Sequence, residues 1–363
     1  MWCGEWRCEE NNIIMEQVEQ INDYYIQSFL ETIQKLDTSK LAIDSYSYYY
    51  LNHLLHHRKY YLEIYRCVLN HVLKNSTKKK SEMVVIDYGS GNGLLGFFAK
   101  HCGFGTIINI DISEEFCTSQ HTLLKTNKLK IDEIFCGDIE SFCKTSSVVP
   151  DALIGTDVIE HIYDLEKFFN ILSSININLI TVLTTASNDK NWLKKRKLMR
   201  IQQKDEWKGN ISSETNKEEM PFREIRRGIV KDIIGSESKQ EIEKLVTYTR
   251  GLNKHDIEEA CKKYLMSKEL PKPLQHPTNT CDPITGSWTE RLLSYQEYHN
   301  IYEKYQFKLS VMNGFYNTYQ PIPKGSFMCL LNYLIKKTRK LGNFISPFII
   351  LVGIRTLRND GLS

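Results

Sequence analysis

The sequence predicts an α/β fold: a mostly parallel sheet with helices on both faces, an N-terminal helical extension and a helical insertion after the fifth strand. Three observations predict it. Between Glu82 and Ser187, five short apolar runs alternate with segments long enough for a helix, the pattern of βαβ units. Amphipathic helical periodicity precedes that region. A charged stretch of helical texture then interrupts the alternation at Ser187. The chain has 363 residues, 41% hydrophobic and 25% charged, with a formal net charge of +3. That balance excludes a disordered chain and does not argue for nucleic acid by itself.

The elements follow in order. Residues 11–36 carry Ile14, Val18, Ile21, Tyr25 and Phe29 on one helical stripe, and 44–75 carry Leu51, Leu54, Leu55, Leu62 and Tyr65 on another. Tyr48–Tyr50 and Tyr60–Tyr61 suggest aromatic faces with hydroxyls near water. A polar linker, Asn75 to Lys80, ends this unit. Strands are expected at Met83–Asp87, Thr106–Asp111, Ile131–Phe135, Ala152–Gly155 and Leu179–Thr184. In the insertion, helices are expected near Arg223–Ile234, Lys239–Thr249 and Asp256–Met266, before Pro271, Pro273 and Pro277 end it. A helix at Tyr295–Tyr305 and strands at Lys308–Met312 and Phe348–Ile354 complete the reading. The expected units are 1–80, a helical cap; 81–186, the core; 187–274, a helical lid; and 275–363, the completion of the core.

Ten cysteines, among them Cys3 and Cys8, include no Cys-x-x-Cys pair, so neither a zinc ribbon nor a dithiol redox motif is expected. The opening Met1–Trp6 lacks the layout of a secretory signal, and Phe344–Ile354, interrupted by Pro347, is too short to span a bilayer. The expectation is a reduced, cytoplasmic protein.

The informative stretch is Val84-Val85-Ile86-Asp87-Tyr88-Gly89-Ser90-Gly91-Asn92-Gly93: a strand, an acid, three alternate glycines, then a helix. Glycines let the backbone approach a ligand closely, and the helix N-terminus offers free N–H donors. A dinucleotide fingerprint would place its third glycine three residues after the second, not two. Ile108-Asn109-Ile110-Asp111 ends a second strand in an acid suited to ribose hydroxyls. Cys136-Gly137-Asp138-Ile139 and Asp151-Ala152-Leu153-Ile154-Gly155-Thr156-Asp157 supply acids beyond two further strands.

These motifs resemble the class I S-adenosylmethionine-dependent methyltransferases, over roughly 80–186 and more loosely over 288–320 and 346–356. The resemblance implies a Rossmann-like, mostly parallel seven-stranded sheet. It implies S-adenosyl-L-methionine as cofactor, held by Asp87, Gly89, Gly91, Gly93, Asp111, Ile112, Asp138, Ile139 and Asp157, with Asp138 pairing the adenine amino group. Asp157-Val158-Ile159-Glu160-His161 further resembles a segment of the ubiquinone-biosynthesis O-methyltransferase type and of small-RNA 2′-O-methyltransferases. In members of both, the acids and histidine ligate a divalent cation. If Asp157 opens a helix, Asp157, Glu160 and His161 share a face; Asp157 is shorter than the glutamate of the metal-binding versions. No metal is the preferred reading. The alternatives are a metal at these three residues, or His161, with Glu160, as the catalytic base.

The expected function is O-methylation of a small-molecule or lipid-like hydroxyl. An RNA 2′-O-methyltransferase and a non-catalytic S-adenosylmethionine-binding module are the alternatives. The fourth strand lacks the Asn/Asp-Pro-Pro-Tyr/Phe motif of base N-methylating relatives. Trp288 and Arg291, in the loop Asp282–Arg291, are candidates for a substrate wall or a surface turn anchored by Trp288. His53 and His57 share a helix face that reads as solvated or packed on aromatics rather than as a metal pair. Lys190–Arg200 holds six bases and no acid, and 186–280 holds 21 Lys+Arg against 15 Asp+Glu. A solvated helical face is the reading there, with a phosphate, anionic lipid or RNA as the alternative. Phe327–Leu334, followed by Lys336, Lys337, Arg339 and Lys340, reads as a helix packed on the sheet, with a membrane interface as the alternative.

Overall fold

The computed structural model describes residues 20–43, 45–211, 218–235, 238–338 and 341–356. Cys3, Cys8, Ile14, Val18, Arg339 and Lys340 lie outside them. Three helices come first: α1 (Asp23–Ile33), α2 (Tyr46–His56) and α3 (Arg58–Asn75). The single helix expected over 44–75 is two, because the chain leaves helical geometry at His57 (φ −103°, ψ 20°).

The alternating region follows as β1 (Val84–Tyr88), α4 (Leu94–His101), β2 (Thr106–Asp111), α5 (Glu114–Thr126), β3 (Glu133–Cys136), α6 (Ile139–Thr145), β4 (Ala152–Thr156), α7 (Leu165–Ile175) and β5 (Ile180–Thr185). The insertion contains α8 (Trp192–Trp207), a two-stranded ribbon of β6 (Asn210–Ile211) and β7 (Glu218–Glu219), α9 (Phe222–Ile234), α10 (Lys239–Tyr248) and α11 (Lys254–Ser267). Then come α12 (Tyr295–Lys304), β8 (Phe307–Asn313), α13 (Lys324–Thr338), α14 (Gly342–Ile345) and β9 (Ile349–Arg355). Strand order is β3-β2-β1-β4-β5-β9-β8. The first five strands are parallel, and β9 runs antiparallel to both its neighbours. The expected Rossmann-like seven-stranded sheet is therefore present; the small ribbon was not anticipated.

Successive strand residues point to opposite faces, so each apolar run feeds two cores. Val85, Ile107, Ala152, Val182 and Ile350 meet α1, α3 and α4 on one face. Ile86, Ile108, Leu153, Leu183 and Leu351 meet α6, α7 and α12 on the other. Helices α9–α11 enclose a small core of their own, including Val230, Leu245, Val246 and Ile257. They are tied to α8 by a fully buried pair, Arg226 with Glu206, whose carboxylate also accepts the Thr280 hydroxyl at 2.8 Å. Removing one partner of such a pair strands a charge in the interior. Arg226→Met is expected to lower stability by about 3 kcal/mol, measured by urea denaturation, while the double variant with Glu206→Leu recovers most of it. A loss below 1 kcal/mol, roughly the value of an exposed pair, would contradict this reading.

Candidate active site

The three motif glycines all adopt the left-handed region, with φ of 65° at Gly89, 52° at Gly91 and 77° at Gly93. The loop folds back on β2: the amides of Gly89 and Ser90 donate to the Ile110 carbonyl, at 2.8 and 3.1 Å. A Cβ on Gly89 would stand 2.3 Å from Val158 Cγ2, so glycine lets the loop touch the end of β4. Gln120 on α5 braces the loop from outside, donating to the Gly91 carbonyl at 2.7 Å. Buried Asn92 donates to the Ser47 carbonyl at 3.0 Å, fastening α2 over the loop. Tyr46, Tyr50 and Phe116 cluster there, and Tyr50 would lie 3.4 Å from a Cβ on Gly91.

Asp87 lies under the loop, 1% exposed, and accepts the Gly96 amide at 2.9 Å, so it closes the first turn of α4. Burial pushes its carboxyl up to about 8, the Gly96 amide pulling the other way. An acid with a raised folded-state pKa binds its proton more tightly when folded, so stability falls as pH rises from about 4 toward about 8. Asp87→Asn keeps the acceptor for Gly96 and removes the titration. Its melting temperature should exceed that of the wild type progressively across this range; parallel curves would contradict the assignment.

Asp111 closes β2. Its Oδ2 accepts the Gly91 amide at 2.7 Å and its Oδ1 the Ser113 amide at 2.9 Å. Each oxygen retains a lone pair, and burial raises the carboxyl above its ordinary value. Ile112 beside it is 77% exposed, an apolar surface at the strand end. Asp138 is half-buried and caps α6, accepting the Ser141 amide at 2.8 Å. The Ile139 side chain is in the core, which leaves only its backbone for a ligand.

The fourth strand end departs from expectation. Asp157 does not open a helix: it has φ 52°, and only a short 3-10 turn, Ile159–His161, follows before Asp164 caps α7. The three residues consequently share no helical face. Glu160 turns inward, 1% exposed, and accepts the Thr185 hydroxyl at 2.6 Å and the Ala186 amide at 3.1 Å, bridging β4 to β5. Burial, then the Asp157 and Glu290 charges, holds it well above the usual carboxylate range. Asp157 stays exposed within the concave end of the sheet; surrounding protein, then Glu290, pushes it up to about 6. Its charge reaches the hydroxyls of Tyr50, Tyr60 and Tyr61, which places α2 and α3 across from it. Among the described residues, no three His, Cys, Asp or Glu side chains form a set able to hold a metal. Glu160 engages β5 through Oε1 alone, and its buried Oε2 has no hydrogen-bond partner.

His161 lies with its Nδ1 2.7 Å from the Trp288 carbonyl, which can only accept, so Nδ1 carries a hydrogen and Nε2 is the nitrogen left to exchange a proton. Trp288 is 5% exposed, its indole N–H donating to the Tyr163 carbonyl at 3.0 Å, and Arg291 stacks on it at 4.3 Å. Both therefore fasten the loop 281–293 to the Asp157–Tyr163 segment. Glu290, between them, was not singled out from sequence. It has φ 45° and accepts the Ser187 hydroxyl at 3.3 Å. The insertion reaches the same place: the Tyr163 hydroxyl bonds Asp256, and the Asn253 amide donates to Tyr163 at 3.1 Å.

Glycine loop and strand-end acids thus converge at the carboxyl ends of β1, β2, β3 and β4, where ligands of open α/β sheets bind. Residues 79–250 match the family described as a methyltransferase domain. The match and the strand order together support a methyltransferase enzyme on a Rossmann-like seven-stranded sheet. No curated protein sequence matches the chain. Among solved structures, a protein described as an S-adenosylmethionine-dependent methyltransferase from Listeria monocytogenes is 10% identical (79% of this chain, 95% of that one, TM-score 0.40). The plantazolicin methyltransferase BpumL is 11% identical (82% and 84%, TM-score 0.37). Phosphoethanolamine N-methyltransferase 2 of Haemonchus contortus is also 11% identical (79% and 51%, TM-score 0.37).

The residues present are compatible with S-adenosylmethionine, the donor that the sequence motifs imply. The positive-φ glycines let the loop pack closely on Val158, Tyr50 and Asn109, and Asp111 keeps acceptor capacity beside exposed Ile112.

Proposed function

We propose that this methyltransferase methylates a hydroxyl of a small amphipathic acceptor. The observation that carries the proposal is the tautomer of His161: its Nδ1–H is held by the Trp288 carbonyl, leaving Nε2 to accept a hydroxyl proton. The resemblance of Asp157–His161 to the ubiquinone-biosynthesis O-methyltransferase type supports the same reading.

In this proposal Gly89, Gly91 and Gly93 let the backbone approach the donor, Asp111 takes the ribose hydroxyls, Ile112 lies against adenosine, and Asp138 takes the adenine amino group. Asp87 acts beneath the loop and Ile139 through its backbone. When bound, S-adenosylmethionine supplies a methyl group already activated on a sulfonium. The protein is left with two tasks, alignment and removal of a proton. Asp157 sits on the methionine side. Buried Glu160 holds the turn that carries His161, as a positioning residue. Tyr50, Tyr60 and Tyr61 form the wall opposite, and Trp288 and Arg291 fix the loop behind His161 rather than line the cleft.

A second reading is favoured by one observation: Asp157 and Glu290 put two carboxyls beside three tyrosines, surroundings that suit an ammonium group as well as a hydroxyl. Incubation with S-adenosylmethionine carrying a 13C-methyl group, in a metabolite extract and in an RNA pool, separates the readings. The proposal expects a methoxyl carbon signal in a small product. An N-methyl signal supports the second reading, and label in RNA or in neither pool defeats both.

A further inference from the structure

Helix α13 packs one side inward and leaves a second apolar strip exposed. Gly325, Asn332 and Ile335 are buried and Met328, Cys329 and Leu331 half-buried, while Asn332 is occupied in holding the Tyr316 backbone at 2.7 and 3.0 Å. Phe327, Leu330 and Leu334, spaced to share one helical face, are 55%, 53% and 38% exposed. Leu341 and Phe344 continue the exposed apolar surface on and beside α14.

A second element joins this face. The side chains of Asn188 and Asn191 donate to the carbonyls of Asn343 and Ser346, each at 2.9 Å, pinning the start of α8 to α14. The next two residues, Trp192 and Leu193, are 65% and 67% exposed. Two segments remote in sequence thus present tryptophan, phenylalanine and leucine to solvent side by side.

Their charge is one-sided. Residues 190–200 hold six bases and 320–346 hold five, with no acid in either. Aliphatic and aromatic side chains flanked mainly by cations, with Asp189 the acid nearest them in sequence, make the composition of an interfacial helix. Nucleic acid would be met by the cations but offers nothing for Leu193, Leu330 or Phe344. A second copy would bring its own cations against these. An anionic lipid surface satisfies both halves of the pattern, each basic residue near such a surface adding to the attraction.

We propose that the face formed by α13, α14 and the start of α8 docks the methyltransferase on an anionic membrane surface. This stands whether the acceptor is a hydroxyl or an amine. The same helix α8 also touches the site loop, Gln202 donating to the Glu290 carbonyl at 2.8 Å.

The test is co-sedimentation of the full chain with vesicles of phosphatidylcholine alone or with about 30% phosphatidylglycerol. Binding is expected to the anionic vesicles, and to weaken as salt rises from about 0.1 to about 0.5 M. Phe327→Glu with Leu330→Glu should weaken it at least tenfold. Trp192→Ser with Leu193→Ser should do the same from the other segment. Melting temperature and S-adenosylmethionine affinity should stay unchanged in both, which excludes misfolding. Failure to bind anionic vesicles, equal binding to neutral ones, or full binding by either variant would overturn the proposal. So would a dimer or an RNA complex lost in these variants without any vesicle binding.

Discussion

Gly89→Val should leave the enzyme without measurable S-adenosylmethionine binding and with a much lower melting temperature. Two independent effects add. At φ 65° a branched residue is strained, at a cost of about 1–3 kcal/mol. Its Cβ would also enter Val158, at 2.3 Å from Cγ2, and overpacking of that kind costs about 1–3 kcal/mol more. Relief requires the loop to leave β4, which dismantles the cradle itself. Gly89→Ala, with the same strain and less bulk, should fall between. Thermal melts and calorimetric titration check both, and near wild-type binding by the valine variant would contradict the close approach of loop and strand.

His161→Ala should lower kcat by about 10²- to 10⁴-fold, the usual worth of a positioned general base. Affinity for S-adenosylmethionine should change little, because the ring contacts the Trp288 carbonyl and not the glycine loop. His161→Gln, which can donate to the same carbonyl but cannot accept a proton as a base, should be equally slow. Equal turnover of wild type and both variants from pH 6 to 9 would leave proximity as the only catalytic device and remove His161 from the mechanism.

The sheet was legible because its apolar runs are short, regularly spaced and separated by helix-length segments. Val84–Tyr88 and Thr106–Asp111 need no tertiary information to be read as strands. The glycine loop was legible for a related reason: three glycines at alternate positions meet a local backbone demand, and all three have positive φ. The geometry of the Asp157–His161 segment stayed open because residue types do not reveal that Asp157 takes φ 52°. A 3-10 turn follows instead of a helix, and Glu160 is buried. Glu290 was visible only as the acid of the loop Asp282–Arg291, not as a neighbour of Asp157. It reaches the site from a loop more than a hundred residues downstream, and no periodicity marks it. The exposure of α13 is likewise a tertiary fact, since the same apolar spacing serves equally to bury a helix or to present one.

The central claim is that the strand-end acids and the glycine loop form one cofactor site, with Asp111 at its centre. Calorimetric titration of S-adenosylmethionine into wild type and Asp111→Ala tests it most directly. The substitution removes charge-assisted bonds to the ribose, together with the acceptors for the Gly91 and Ser113 amides. Affinity should fall by about 100-fold or more, about 3 kcal/mol for two such bonds, while the melting temperature without ligand drops only modestly. Unchanged affinity in Asp111→Ala would contradict the account.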